Sequence, residues 1–283
     1  MAPSDTPATP RQTKAGKAHG RQSEKSAPPP SNKQKVQSAE VGTDILKALA
    51  QLSPATSLSR LAEHVGMPAS KVHRYLQALL ASGFARQDSA SSHYSLGREA
   101  LLVGLAALDA VDVLKLSAQA LVTLRDTLNE SCFLAVWGNH GPTVVQVEQA
   151  VRAITVVTQV GSVLPLLGSA SGLVFAAHLP AAEVQALREA ELAQQVAHPL
   201  ADAKAYEALM ASIREQGVHA VHGLLMPGVE ALAAPIFDAR GEIAAVLTVV
   251  GTAGIFKAEQ QGSAAAQLRQ TSQAISWEMG YRV

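Results

Sequence analysis

The stretch that most constrains this chain is Ser57 to Gln77, where two short amphipathic segments flank Gly66-Met67-Pro68. Apolar residues recur at three- or four-residue spacing: Leu58, Leu61, Ala62 and Val65 in the first segment, then Val72, Leu76, Leu79 and Leu80 in the second. Each set therefore shares one face of a helix. Gly66 suits the left-handed conformation that ends a helix, and Pro68 is tolerated at the start of the next. Two short helices joined by so tight a turn cross steeply, as in a helix-turn-helix. With the second apolar set turned inward, Ser70, Lys71, His73, Arg74 and Gln77 point out. That face carries cations and hydrogen-bonding groups suited to phosphates and major-groove base edges. On the helix pair alone, a small helical core with a solvated polar face explains the pattern equally well.

The next residues separate the two explanations. Gly83 ends the second helix, and Phe84 to Asp88 reads as a short strand. Ser89 to Ser92 turns the chain, and His93 to Leu96 returns it. A hairpin directly after such a helix is the wing of a winged helix, a DNA-binding arrangement. Arg86 and the serines at the tip are placed to reach phosphate or the minor groove.

The chain has 283 residues, enough for two domains, and a formal net charge of zero. Neutrality argues against a nucleic-acid binder until the distribution is examined. Residues 1–35 hold seven basic residues (Arg11, Lys14, Lys17, Arg21, Lys25, Lys33, Lys35) against Asp5 and Glu24, whereas from Val113 onward ten basic face fourteen acidic residues. Between Ser57 and Gln87, Arg60, Lys71, Arg74 and Arg86 face Glu63 alone. Positive charge thus sits where DNA would lie. A single cysteine, Cys132, excludes an intrachain disulfide and fits a reducing cytoplasm. The sequence offers no metal-ligand cluster, no apolar run long enough to span a membrane and no secretion signal, so a cytoplasmic protein without metal or cofactor is expected.

Taken in order, residues 1–35 are rich in Pro, Ser, Thr, Gln, Lys and Ala and are expected to form a disordered basic tail. Residues 36–97 make the winged helix-turn-helix domain, with Val41, Ile45, Leu49 and Leu52 on a helix behind the pair. Residues 98–112 read as a linker helix whose stripe, Leu101, Leu102, Leu105 and Leu108, is too apolar to stand alone in water. Two copies packed together would hide it; burial on its own second domain is the competing view. Residues 113–283 alternate in texture. A helix is expected over Val113–Leu128, then strands over Cys132–Trp137, Thr143–Gln149 and Ile154–Val160. Helical stretches follow around Ser171–His178, Glu183–Gln195 and Lys204–Gln216. Strands over Val218–His222, Ala231–Phe237 and Ile243–Val250 precede a closing helix, Lys257–Met279. An antiparallel sheet with helices on its faces gives an α+β domain.

Catalytic machinery is not evident. Gly168-Ser169-Ala170-Ser171-Gly172 invites comparison with a nucleophile elbow, but its middle residue is Ala170. Cys132 sits in an apolar strand and reads as core. His140, His178, His198, His219 and His222 show no ligand spacing. The run Gly161 to Gly172 is more informative, because small residues leading into a helix leave backbone N–H groups able to receive an anion. Ser169 or Ser171 could cap that helix, as in any structural N-cap. A sheet curving over this helix start would enclose a small apolar pocket with one anion-binding end, and Thr248 in the strand Val246–Val250 could face it.

These residues resemble the IclR-type bacterial transcription regulators over nearly everything from Val36 onward. In the first domain the resemblance rests on Leu61-Ala62, Gly66-Met67-Pro68, Ser70, His73-Arg74-Tyr75-Leu76, Gly83 and Tyr94-Ser95-Leu96-Gly97. In the second it rests on Gly161 to Leu166, Pro227-Gly228-Val229 and Ala233 to Asp238. It implies a winged-helix domain, a linker helix and a GAF-like effector domain, in a homodimer or pair of dimers on palindromic operator DNA. Ligand contacts carried over by resemblance fall at Val156, Ser169, Ala170, Ser171, His222, Ala231 and Thr248. The chain departs from the family pattern near His222, where an acidic residue often stands, and at Ala231, often polar or a thiol. Both departures argue against a glyoxylate-like ligand and suit an aromatic or larger carboxylate. The resulting expectation is a ligand-responsive regulator of a catabolic operon, not an enzyme. The alternatives are a hydrolase carrying a helix-turn-helix, and a metabolite-binding module whose winged helix docks protein.

Overall fold

The structure, a computed structural model, describes residues 37–109, 111–152, 155–194 and 198–282. The expected basic tail over 1–35 lies outside the described residues, as does Ile154. The chain divides after Leu101 into two compact units.

The first unit contains α1 (Gln37–Gln51), α2 (Leu58–His64), α3 (Ala69–Ala81), β1 (Ala85–Gln87) and β2 (Tyr94–Leu96). Helix α1 buries Val41, Ile45, Ala48 and Leu49, the i, i+4, i+7, i+8 positions of one stripe. Helix α2 opens on Ser57, whose hydroxyl accepts from the Arg60 N–H at 3.3 Å. Gly66, at φ +63°, makes the reversal that the helix-turn-helix needs. On α3, Val72 and Leu76 are fully buried while Leu79 and Leu80 pack partly against the same core. Strands β1 and β2 pair antiparallel, Arg86 opposite Ser95. Thr56 exchanges two backbone hydrogen bonds with Tyr94 (2.9 and 2.8 Å), which ties the hairpin to the chain before α2.

Helix α4 (Arg98–Asp109) crosses the boundary between the units. In the second unit, α5 (Val113–Leu128) is capped by Asp112 and ended by Asn129 in the left-handed conformation. Strands β3 (Ser131–Gly138), β4 (Gly141–Glu148), β5 (His219–His222), β6 (Val229–Phe237) and β7 (Ile243–Thr252) form one antiparallel sheet in the order β4-β3-β7-β6-β5. Period-two alternation assigns the faces. Cys132, Leu134, Leu232, Ala234, Leu247 and Val249 pack with α5 and α9 (Ser263–Glu278). Phe133, Ala135, Ala231, Ala233, Val246 and Val250 face α6 (Ala170–His178) and α8 (Ala203–Gln216). Helix α7 (Ala181–Gln194) adds Val184 to that second core.

Two expectations need correction. The strand foreseen over Ile154–Val160 is not formed by described residues 155–160. The free edge of β4 is taken instead by the following turn: Gly161 N–H donates to Val144 O (2.8 Å), and Val144 N–H donates to Ser162 O (2.9 Å). The closing helix begins at Ser263, not Lys257. The Ala258 amide is already used by the Glu230 carboxylate (2.7 Å), and Gly262 stands at the N-cap.

Candidate functional site

The first candidate surface is the outer face of α3. Ser70, His73, Arg74 and Gln77 are exposed and Lys71 is half-buried. All lie away from the buried Val72 and Leu76 on the helical wheel, so packing of the inner stripe fixes their outward direction. His73 and Gln77, one turn apart, meet at 3.2 Å, and the Arg74 guanidinium lies 5.6 Å from the Tyr75 ring centre. On the hairpin, Arg86 is exposed and its Nε donates to Ser95 Oγ across the strands at 2.9 Å. Asp88 shapes the hairpin tip by accepting from Ser91 N–H (2.7 Å), Ser91 Oγ (2.8 Å) and Ala90 N–H (3.1 Å). The Ser91 amide, first among these, holds the Asp88 carboxyl below its ordinary value.

The second candidate is a cavity of about 320 Å³ between the sheet and the start of α6. Its floor is built by close approach. Ser169 caps α6 by accepting from Gly172 N–H (3.0 Å), and its own hydroxyl donates to Pro165 O (2.7 Å). A Cβ on Gly172 would stand 2.3 Å from both the Pro165 and Leu166 carbonyl oxygens, so only glycine lets the 165–169 turn press against the helix. From α7, the Glu191 carboxylate accepts the Leu166 and Leu167 amides at 2.6 and 2.8 Å and holds the other side of that turn. Ser171 Oγ and Thr248 Oγ1 meet at 2.9 Å, both buried, in the cavity wall. Two hydroxyls sharing one hydrogen bond keep a second O–H and spare lone pairs for another partner.

The structure brings Val156, Ser169, Ala170, Ser171, Ala231 and Thr248 together on this cavity. His222 does not line it. Its side chain stands on edge strand β5, 63% exposed, with Nδ1 3.7 Å from Glu230 Oε2. Sequence reasoning missed Phe133, Val157, Gln159, Leu224, Leu225 and Met226 as lining residues. The run Leu224-Leu225-Met226, set between Gly223 and Pro227-Gly228, carried a signal, since three apolar residues in a row are unusual in a turn. Among the described residues the lining includes no His, Asp, Glu, Lys or Arg, and none of them supplies a base beside Ser171. Cys132 lies buried on the other face of the sheet, where burial foremost pushes its thiol up to about 12, too high for a nucleophile at neutral pH. Among the described residues no group of three His, Cys, Asp or Glu is placed to hold a metal ion, and no helix is long and apolar enough to cross a membrane.

A helix-turn-helix with an outward cationic face and a hairpin, followed by a sheet domain with no catalytic set around its cavity, defines a DNA-binding transcriptional regulator. Comparison with known proteins assigns the kind. Residues 38–89 match the IclR helix-turn-helix domain, and residues 105–277 match the C-terminal domain of the bacterial transcriptional regulator IclR. The chain belongs to the IclR family. It is 31% identical over 219 residues to the glycerol operon regulatory protein of Streptomyces griseus, covering 76% of this chain and 85% of that one. It is 26% identical to the transcriptional repressor IclR of Escherichia coli, covering 76% and 80%. The crystal structure of Pseudomonas aeruginosa HmgR superposes with a TM-score of 0.81 at 74% identity, over 87% of this chain and 99% of that one. The Streptomyces and Escherichia relatives are named as a regulatory protein and a transcriptional repressor.

Proposed function

We propose that this chain is a cytoplasmic, ligand-responsive regulator of a catabolic operon, acting as a homodimer or a pair of dimers on palindromic DNA. Residues 36–97 bind DNA, residues 98–112 form the linker helix, and residues 113–283 make the GAF-like effector domain. Ser70, Lys71, His73, Arg74 and Gln77 enter the major groove, and Arg86 contacts the backbone beside the wing. Curated relatives named for glycerol and acetate operons support the catabolic reading.

The observation that carries the effector reading is the cavity itself. It has apolar walls (Val156, Ala231), a neutral hydroxyl pair (Ser171, Thr248) and the opening turn of α6 at Ser169 and Ala170. Such a space takes a small organic acid whose body is apolar, with the carboxylate at the helix start where the dipole favours negative charge. An aromatic carboxylate fits that description better than a two-carbon acid, which would leave most of the walls uncovered. His222 stands aside from the walls, beside Glu230. The effector binds one arrangement of the second domain more tightly and so changes how the paired recognition helices are presented to their half-sites.

The test is a thermal-shift screen of aromatic and aliphatic carboxylates, followed by gel shift on the chain's own upstream DNA. A matching acid raises the melting temperature with concentration and changes DNA retardation. If aliphatic acids alone raise it, the aromatic assignment is wrong. If retardation does not weaken with salt, the DNA assignment is wrong.

A further inference from the structure

The cavity has two unlike rims. One is the 156–159 segment, anchored just before it: Arg152 pairs with the buried Glu130 at 2.8 Å, and Thr155 Oγ1 meets Ser131 Oγ at 2.9 Å. After it, Val163 bridges to Thr143. The other rim is the loop between β5 and β6, from Gly223 to Gly228. Both of its end glycines have positive φ, +63° and +81°. The loop closes on itself at its base, where Gly223 N–H donates to Val229 O (2.8 Å) and Val229 N–H to Met226 O (3.1 Å).

Leu224, Leu225 and Met226 line the cavity, yet they are 45%, 54% and 60% exposed. Side chains that both line a cavity and stand half in water mark its mouth. Val157, on the anchored rim, is also exposed. On the far side of the loop, Leu224 and Leu225 border a second space of about 460 Å³, lined there by polar groups such as His140, Gln194 and His198. The loop therefore has room on both sides.

We propose that Gly223–Gly228 is a hinged cover for the cavity, and that Leu224, Leu225 and Met226 select the effector by size and apolarity as they close on it. This rests on the effector reading of the cavity. An apolar ligand in the mouth gives these side chains the contact they lack, so closure is favoured only when the ligand is large and apolar enough to reach them. A short or highly polar acid leaves them in water and the cover open.

The experiment uses the full chain and 2-naphthoate, a fluorescent aromatic carboxylate, with Leu225→Asp, Met226→Ser and the cavity-filling Ala231→Phe. Saturable 2-naphthoate binding that Ala231→Phe abolishes is expected. Leu225→Asp and Met226→Ser should each weaken it about tenfold or more, at a melting temperature of the unliganded protein close to the parent's. Amide exchange across 223–229 should slow when the ligand saturates. If Ala231→Phe abolishes binding but the loop variants bind normally and loop exchange is unchanged, the cover is refuted while the effector reading stands. If 2-naphthoate does not bind saturably, or Ala231→Phe has no effect on it, the reading of this cavity as an aromatic-acid site fails and the cover with it. If Leu225→Asp lowers the sedimenting mass without altering affinity, the loop is an interface between copies and the cover is refuted.

Discussion

Arg74 is the residue on which base recognition turns. It stands on the solvent side of α3, away from the buried Val72 and Leu76, and among the described residues no carboxylate pairs with it. A guanidinium so placed either reads a guanine edge with two hydrogen bonds or holds a phosphate. Arg74→Ala separates the roles. Loss of a guanine contact should cost about 1–3 kcal/mol and relax preference at one operator position, read by anisotropy on single-base variants. Loss of a phosphate contact should weaken all sequences alike and flatten the salt dependence by about one unit of slope. Since α3 keeps its buried stripe, the melting temperature should not move, and a large fall in it would mean that Arg74 is structural.

At the scale of elements, α4 is the anomaly. Leu101, Leu102, Val103 and Leu105 are 61%, 41%, 57% and 47% exposed. Leaving them in water forgoes roughly 25 cal/mol for every Å² of apolar surface, and in the proposed homodimer a second copy of the same helix would cover them. Leu101→Glu with Leu105→Glu preserves helix propensity while charging the stripe. The sedimenting mass should fall to that of one chain, and affinity for a two-half-site operator should drop about tenfold or more as the two recognition helices lose their link. An unchanged mass would show that α4 is not the contact between copies. Elements of this kind were legible in the sequence, because helical stripes and alternating strands are set by local periodicity: α1, α2, α3, the hairpin and most of the sheet follow from it. What escaped depended on partners distant in the chain. The 155–160 segment has strand-like residues, but the edge of β4 is claimed by Gly161 and Ser162. Residues 257–262 have helix-forming neighbours, but Glu230 takes the Ala258 amide. Carry-over from the family brought six of its seven positions to one cavity, yet it gave no hint of the 224–226 rim, and strand alternation puts His222 outside, since Val221 faces the cavity beside Ala231 and His222 turns away with Glu230.

Across the whole molecule, the two units carry different acid sensitivities. In the second unit His178 and His219 are pushed down to about 4, in each case chiefly by burial, with Arg214 near the first and His222 near the second adding to it. His178 also keeps its Nε2 buried without a hydrogen-bond partner, which favours the neutral ring. Between about pH 6.5 and 4 the unfolded chain binds protons at these rings and the folded chain does not, so stability falls as pH falls through that window. Each ring contributes at most about 1.4 kcal/mol per pH unit, and less for His178, which is only partly buried. Glu130 works in the opposite sense, since burial raises its carboxyl despite Arg152, but it is one group against two. In the first unit the lowered group is Asp88, whose stabilising effect is lost only as pH falls below the ordinary carboxylate range. Acid should therefore loosen the effector-bearing unit before the DNA-binding one. Thermal melts of the full chain from pH 7.5 to 5 should show a falling transition assigned to the second unit, followed by its single cysteine, Cys132, becoming reactive to a thiol reagent. His178→Gln with His219→Gln should flatten that fall. An equal pH slope in the double variant would mean that other groups, not these two rings, govern how the effector domain responds to acid.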